Sequence, residues 1–187
     1  MAWTDIEYSE KEKKVLTQSF DWVSSMILAL LTVAFVFTFL FRVVQVDGDS
    51  MTNTLQHKDS LLLNSMFYTP EHGDIIVINY HAEEPLIKRV IAVGGDRIRI
   101  DNEAGVVYLN DKPLEETYVR GGYTPSFGLD EELTVPEGYV FAMGDNRPES
   151  KDSRLLGAFS LDDVMGEVIC RLSPNPGKID SGSVSYE

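Results

Sequence analysis

Cysteine is nearly absent from this 187-residue chain, which contains only Cys170. No intramolecular disulfide can form, so a hydrophobic core rather than cross-links must hold the fold. Cys170 lies in the alternating stretch from Val168 to Arg171, and we interpret it as a small core residue. The cysteine count does not assign the compartment, because an exported domain with a sufficient core also folds without disulfides.

Basic residues are few: 16 Lys and Arg face 30 Asp and Glu, giving a formal net charge of −14. This balance excludes a nucleic-acid partner and argues against attachment to anionic lipids through basic side chains. The three histidines, His57, His72 and His81, have no spacing typical of a metal site or of a serine triad. We therefore expect no metal and no other cofactor.

One long run without charge stands out between residues 22 and 41. It is long enough for a helix to cross a hydrocarbon core of roughly 30 Å at about 1.5 Å per residue. Bulky Phe and Leu residues, rather than a small-x-small cleavage site, lead into Arg42, so we interpret the run as an uncleaved anchor.

The distribution of basic residues around this run predicts its orientation. Lysines at 11, 13 and 14 precede it, and only Arg42 follows closely. The positive-inside rule therefore places the N-terminus in the cytoplasm and the bulk of the chain outside. We predict a cytoplasmic segment over 1–21, a single-pass anchor in the cytoplasmic membrane over 22–41, and one extracytoplasmic domain over 42–187.

Beyond Arg42, short β-rich segments alternate with Gly, Pro, Asn and Asp, which predicts a mainly β domain of antiparallel sheets or a partial barrel. The candidate strands are Val43–Val46, Ser60–Leu63, Asp74–Tyr80, Leu86–Val93, Arg97–Asp101, Val106–Leu109, Gly138–Met143 and Val164–Leu172. The polar stretch over 115–132 has no assignable pattern and is treated as a surface flap. The tail after Ser173 is expected to fray.

Two residues suggest nucleophilic chemistry. Ser50 lies in the stretch from Val46 to Met51, just past the anchor, where Gly, Asp and Ser are equally typical of a turn. Lys88 would share a strand face with apolar neighbours, so it could be an edge lysine whose amine reaches solvent. If the amine is buried instead, its pKa falls by as much as about 3–5 units, and it could take the proton of a serine hydroxyl.

A polar run from Gly144 to Arg154 is the third unusual feature. Its Asp and Arg residues could simply form a salt-bridged loop that holds strands together. That structural interpretation is compatible with catalysis, since a buried amine needs fixed polar groups around it. Ser150 in this run is a candidate hydroxyl for orienting the Lys88 amine.

Taken together, these motifs resemble those of the bacterial type I signal peptidases of the serine/lysine kind. The resemblance covers nearly everything from the anchor to Arg171. The four motifs that carry it, in the family's order, are Ser50–Leu55, Gly73–Val77, Lys88–Asp96 and Gly144–Arg154.

This resemblance implies a mostly antiparallel β fold with Ser50 as the acylated nucleophile, Lys88 as the general base and Ser150 as the group that orients the lysine. It also implies two structural ion pairs under the site, Asp145 with Arg89 and Asp152 with Arg154.

The implied substrates are exported preproteins, cleaved after small residues at the first and third positions before the bond. An extended substrate would add as a strand beside Ser50 and beside Leu86 and Ile87. Met51, Leu55 and Ile87 would line the small pockets. The partners implied are the preproteins, the lipid bilayer and the secretion machinery.

The sequence departs from the fullest family pattern at two positions. Asn53 stands where a proline is usual, which leaves the loop after the nucleophile less rigid. Gly48 supplies no hydroxyl for an oxyanion hole, so backbone N–H groups, that of Ser50 first, would have to stabilise the transition state.

Three rival functions stay open at this stage. A self-cleaving serine/lysine domain like those of damage-response repressors shares the chemistry, but such proteins have no membrane anchor. A peptidase dedicated to surface-fibre assembly would have both the anchor and the dyad. A tethered binding module would keep the β scaffold but has no use for the combination of Ser50, Lys88 and Ser150.

Overall fold

The computed structural model describes residues 9–66, 68–80, 84–129 and 131–179, and it divides into two compact units, Met1–Leu40 and Phe41–Glu187. The predicted residues 1–8 of the N-terminal segment and His81 lie outside the described part. Within that part, no cluster of three or more His, Cys, Asp or Glu side chains is arranged to hold a metal ion.

The first unit contains a single described helix, α1, which spans Glu10–Leu40. It has neither Gly nor Pro to interrupt it, and the hydroxyls of Thr32 and Thr38 donate to carbonyls four residues earlier. Such bonds satisfy the hydroxyls within the helix itself. The segment Lys13–Phe35, with mean hydropathy 1.4, is long and apolar enough to cross a membrane. The helix begins earlier than the uncharged run, whose last residue, Phe41, already belongs to a strand.

In its described residues, the second unit is built mainly of short strands. They are β1 Phe41–Gln45, β2 Ser60–Asn64, β3 Ile75–Ile78, β4 Leu86–Val93, β5 Arg97–Asp101, β6 Val106–Leu109, β7 Lys112–Pro113, β8 Leu133–Thr134, β9 Tyr139–Met143, β10 Phe159–Ser160, β11 Val164–Ser173 and β12 Gly177–Lys178. A short helix, α2, spans Ser153–Leu156, and 3₁₀ turns span Arg120–Gly122, Arg147–Glu149 and Leu161–Asp163.

These strands form two antiparallel sheets, which confirms the predicted fold class. The larger sheet has the order β1-β2-β11-β3-β4-β9-β10, with β12 added to β11. The smaller has the order β7-β6-β5-β8. Bulges interrupt the pairing of β11 with its neighbours and of β4 with β9, and such bulges bend a sheet.

The core lies in three clusters, and the first of these fixes the loop that carries Ser50. Met51 and Leu55, on either side of the turn after Ser50, are buried against strands β2, β3 and β11. A second cluster joins the larger sheet to the smaller one, and the third covers the opposite face of β4 and β9. The buried side chains of Met51 and Leu55 thus hold the Ser50 loop on the sheet.

Two sequence-based expectations for irregular segments were wrong. The tail was expected to fray after Ser173, but β12 pairs with β11 and Ile179 is buried. The segment over 115–132 was treated as a surface flap, yet Val119, Thr124 and Ser126 in it are buried. Its fixed points are contacts with distant residues, which local sequence patterns cannot show.

Candidate active site

The structure brings Ser50 and Lys88 together, although 38 positions separate them. Ser50 lies in the turn that follows β1, and Lys88 lies in β4. The Nζ atom of Lys88 is 2.9 Å from Ser50 Oγ and donates to the carbonyl of Ile87 at 2.9 Å. The Lys88 residue is only 3% exposed, so its amine does not reach solvent as an edge lysine would.

The surroundings of Lys88 favour its neutral form. Burial lowers the pKa of Lys88 from its ordinary value of 10.5 to about 8. The carboxylates of Asp152 and Asp145 oppose this change, and the guanidinium of Arg154 adds to it. A neutral amine in mildly alkaline solution has a free lone pair, and at 2.9 Å from the hydroxyl it can accept the Ser50 proton.

One buried ion pair links three segments beneath this pair. Arg89 Nε and Nη2 donate to the two oxygens of Asp145 at 2.9 and 2.7 Å, and both side chains are fully buried. Arg89 Nη1 also donates to the carbonyl of Gly73 at 2.9 Å. The hydroxyl of Thr54 donates to Asp145. Strand β4, the loop after β9 and the turn after Ser50 are thereby fixed relative to one another.

The second predicted ion pair is also present and buried. Arg154 Nε and Nη2 donate to Asp152 at 2.9 and 2.8 Å, and Asp152 also accepts the N–H of Gly144 at 3.0 Å. Burial alone would raise the pKa of Asp152, but the bonds and charge of Arg154 hold it below its usual range. Asp152 is thus a permanent negative charge near the Lys88 amine.

Ser150 is buried next to the site, but it does not make the predicted bond to Lys88. Among the residues that the structure describes, its Oγ atom has no hydrogen-bond partner, and Lys88 Nζ is directed to Ser50 and to Ile87 instead. The Ser150 hydroxyl favours the carboxylate form of Asp152, although the two groups do not meet at hydrogen-bond geometry.

Three of the four residues predicted to bind substrate share one environment. Met51, Leu55 and Ile87 are buried in the same apolar cluster. Leu86 packs against a different cluster, because consecutive strand residues point to opposite faces of the sheet. The role predicted for Leu86 was strand pairing with the substrate, which does not require its side chain to join that cluster.

Beside Ile87, the larger sheet has an open position. The backbone N–H and C=O groups of Val90 are bonded on the β3 side. Because these groups alternate in direction along a strand, the backbone groups of Lys88 also point toward β3, and those of Ile87 and Arg89 point toward the β9 side. Strand β9 pairs with β4 only from Arg89 onward, starting opposite Met143. Within the described residues, no strand pairs with Ile87 on that side, and Ser50 lies close by.

Comparison with known proteins places this arrangement in a family. The family model described as signal peptidase, peptidase S26, matches residues 19–173. The chain belongs to the signal peptidase family. It is 35% identical over 169 residues to signal peptidase I P of Bacillus subtilis subsp. natto, covering 84% of this chain and 90% of the relative. It is 34% identical over 164 residues to probable signal peptidase I-1 of Synechocystis, covering 79% and 81%.

Among solved structures, the chain is similar to the crystal structure of a signal peptidase I from Enterococcus faecalis. That alignment has a TM-score of 0.45 and 30% identity, and it covers 54% of this chain and 97% of that chain. As a member of the signal peptidase family, the protein is a peptidase.

The loop before Ser50 has a backbone conformation at Gly48 that favours glycine. Gly48 has φ +88°, in the left-handed region where a side chain is strained. Its N–H faces Nδ1 of His57 at 3.3 Å. A serine in this backbone conformation would be unfavourable.

Two residues of the polar run support the nucleophile more directly than the sequence indicated. Asn146 donates its backbone N–H to the carbonyl of Ser50 at 2.9 Å and its side-chain amide to the carbonyl of Asp49 at 3.1 Å. Gly144 lies so close that an added β-carbon would be 2.5 Å from the Ser50 carbonyl oxygen. Only the density of polar residues between Gly144 and Arg154 hinted at these roles.

Proposed function

We propose that this protein is a membrane-anchored serine endopeptidase that removes N-terminal signal peptides from exported preproteins. The observation that carries the proposal is the buried contact of 2.9 Å between Lys88 Nζ and Ser50 Oγ. Membership of the signal peptidase family supports the reaction class, and the buried contact supports a serine nucleophile with a lysine base. A tethered binding module would have no need of such a contact.

In the proposed mechanism, Lys88 is the general base and Ser50 the nucleophile. The neutral amine takes the hydroxyl proton as Oγ forms a bond to the carbonyl carbon of the scissile peptide. The backbone N–H of Ser50 is the leading donor to the developing oxyanion. Lys88 then gives its proton to the leaving amine, and an ester joins Ser50 to the signal peptide.

Hydrolysis of this ester repeats the same proton transfers with water. Lys88 takes a proton from the water as it attacks the ester carbonyl, and it returns the proton to Ser50 Oγ as the acyl group leaves. The ion pairs Arg89–Asp145 and Asp152–Arg154 keep the two reacting side chains in place. We propose that Ser150 contributes by favouring the charged form of Asp152 and by packing against Gly144, rather than by a direct bond to the amine.

The open position beside Ile87 is suited to an extended substrate. A chain entering there would pair with β4 and pass the hydroxyl of Ser50, with alternate side chains directed to the sheet. Met51, Leu55 and Ile87 are buried in the apolar cluster on that side, and we propose that they form the floor of shallow pockets that accept small side chains. We therefore propose Ala-x-Ala as the preferred cleavage motif.

We further propose that the residues around 22–41 anchor the protein in the cytoplasmic membrane as a single-pass helix. The lysines before this run support an orientation with the N-terminal segment over 1–21 in the cytoplasm and the catalytic domain over 42–187 outside. Helix α1 is consistent with this arrangement. Preproteins, the bilayer and the secretion machinery are the proposed partners.

The test is cleavage of a preprotein with an Ala-x-Ala site by the detergent-solubilised full chain. Wild-type kcat/KM should rise with pH through about 8. Ser50→Ala and Lys88→Ala should be inactive, and Lys88→Arg should fail as well because guanidinium stays protonated. Lys112→Ala, at an exposed lysine of β7, is the matched control and should cleave normally.

Substantial turnover by the Ser50 or Lys88 variants would refute the dyad. If the folded wild type cleaves no general preprotein, then the broad substrate range is wrong, and a dedicated substrate has to be sought.

A further inference from the structure

The segment over 116–127 contacts all three buried arginines around the catalytic centre. At Arg147, both guanidinium Nη atoms donate to the carboxylate of Glu116, and Nη1 also donates to the hydroxyl of Thr124. Arg147 is fully buried, and its Nε donates to the carbonyl of Gly144 at 3.1 Å. One guanidinium therefore joins this segment to the loop that packs on Ser50.

A second contact involves Tyr118 and Arg89. The Arg89 guanidinium carbon lies 3.9 Å from the centre of the Tyr118 ring, a cation–π geometry. The Tyr118 hydroxyl donates to Glu116 at 2.9 Å. Glu116 and Tyr118 thus form a bridge between Arg147 and Arg89, two arginines on different elements.

Further contacts complete the attachment of the segment. The N–H of Arg120 donates to the carbonyl of Asp145 at 3.0 Å. The carbonyl of Pro125 accepts a bond from Arg154 at 2.9 Å, and the ring of Phe127 lies 4.6 Å from the same guanidinium. A stretch that looks like a surface flap in the sequence is thus one wall of the polar network below Ser50 and Lys88.

Charge balance makes Glu116 the most important residue of this wall. Burial alone would lower the pKa of Arg147, but the charge and bonds of Glu116 raise it above its ordinary value. Removing one partner of a buried ion pair leaves an uncompensated charge. The next carboxylate that acts on Arg147 is Asp145, which also holds Arg89 and Thr54.

We propose that Glu116 and Tyr118 are positioning residues for the Ser50–Lys88 pair, acting through Arg147 and Arg89. The proposal rests on the proposed function, because it assumes that these two groups perform the catalysis. Glu116 fixes Arg147, and with it the carbonyl of Gly144. Tyr118 covers Arg89 and so fixes its bidentate bond to the Asp145 carboxylate.

The main test compares Glu116→Gln with Glu115→Gln in the full-length protein. The two substitutions make the same chemical change at adjacent positions, but Glu115 is exposed and has no contact with the arginines in the structure. We expect kcat/KM of Glu116→Gln to fall by about tenfold to a hundredfold, the loss typical of misplaced catalytic groups. Glu115→Gln should match the wild type.

A pH profile separates positioning from general destabilisation. In Glu116→Gln, Arg147 has lost its carboxylate partner and competes with Arg89 for Asp145. The charge of Asp145 favours the ammonium form of Lys88. The pKa of Lys88 should therefore fall, so that kcat/KM rises at a lower pH than in the wild type. The maximum value of kcat/KM should also decrease. Titration of ¹³C-labelled lysine side chains by NMR should show the same displacement for Lys88 without any turnover. An unchanged pH dependence of kcat/KM and an unmoved titration in Glu116→Gln would overturn the proposal.

Tyr118 provides a second test that leaves no buried charge unpaired, and it decides the matter if Glu116→Gln does not fold. Tyr118→Phe keeps a ring over Arg89, and its kcat/KM should stay within about threefold of the wild type. Tyr118→Leu removes the ring and should lose about tenfold or more. Equal activities of the two variants would contradict the proposal.

Failure of this inference can be told apart from failure of the proposed function. If Ser50→Ala and Lys88→Ala are inactive but Glu116→Gln and Tyr118→Leu behave like the wild type, only the positioning role is lost. If the two dyad variants retain activity, the dyad itself is wrong.

Discussion

Replacing Lys88 by methionine should stabilise the fold at neutral pH while abolishing activity. Methionine has a similar length and no charge, and it can fill the same buried space. The change in the Lys88 pKa from 10.5 to about 8 corresponds to about 3 kcal/mol of unfavourable interaction for the ammonium in the folded state. Because Lys88 is 3% exposed, solvent screens little of this cost.

The sign of the effect follows from proton binding. Between pH 8 and 10.5 the unfolded chain binds the Lys88 proton more tightly than the folded chain does. Wild-type stability therefore rises with pH across this window, and the full cost is present only below pH 8. The methionine variant has no such contribution. The difference in unfolding free energy between the variant and the wild type should thus decrease as the pH rises. The hydrogen bonds lost in the variant add a constant to this difference and do not change its pH dependence.

Denaturant unfolding of both full-length proteins in detergent, followed by near-ultraviolet circular dichroism, measures this difference. Both tryptophans, Trp3 and Trp22, precede the β unit, so tyrosines report on its unfolding. The series ends at about pH 9.5, where exposed tyrosines are still mostly neutral. Between pH 7 and 9.5, about 2 of the 3 kcal/mol by which the Lys88 ammonium destabilises the wild type should disappear. A difference between the two proteins that stays constant from pH 7 to 9.5 would refute the burial argument for Lys88.

Two further substitutions test the packing and the ion pairs. In Gly144→Ala, the added β-carbon would lie 2.3 Å from the Ser150 hydroxyl, so we expect a loss of about 1–3 kcal/mol in unfolding free energy together with a loss of kcat. Gly177→Ala, with no atom of the described residues within 4 Å of the added carbon, should be near neutral in the same denaturation and cleavage assays, and equal effects of the two would contradict the clash. Arg89→Lys keeps the charge but loses the fork that binds Asp145, so its melting temperature should drop well below that of Arg97→Lys, at a 44% exposed side chain. Similar melting temperatures would mean that the buried pair contributes no more than a surface pair.

Much of the fold could be predicted because its elements carry local signals. The eight predicted strands correspond to β1–β6, β9 and β11, each with apolar alternation or a short apolar run. The remaining strands span only two residues each, which is too short for any period to appear in the sequence. The helix was predicted from its uncharged run, but its start at Glu10 was missed because the first turns are polar.

For the candidate site, the sequence predicted the residues better than their contacts. Ser50 and Lys88 were singled out from their motifs, and the structure brings them together. Ser150 was expected to bond to the Lys88 amine, but that amine donates to the carbonyl of Ile87 instead. The contact of Glu116 with Arg147 could not be found from the sequence, because 31 positions separate the two and polar flanking residues are also typical of a solvated loop.

The three fully or nearly fully buried arginines, Arg89, Arg147 and Arg154, also bear on how the protein should lose activity on heating. Each is bonded to more than one segment, and opening of the segment over 116–127 would separate Arg147 from Glu116. Opening of that segment is therefore costly, because it leaves a buried charge without its partner. Heat inactivation and the melting of the β unit should coincide, without a partially active intermediate.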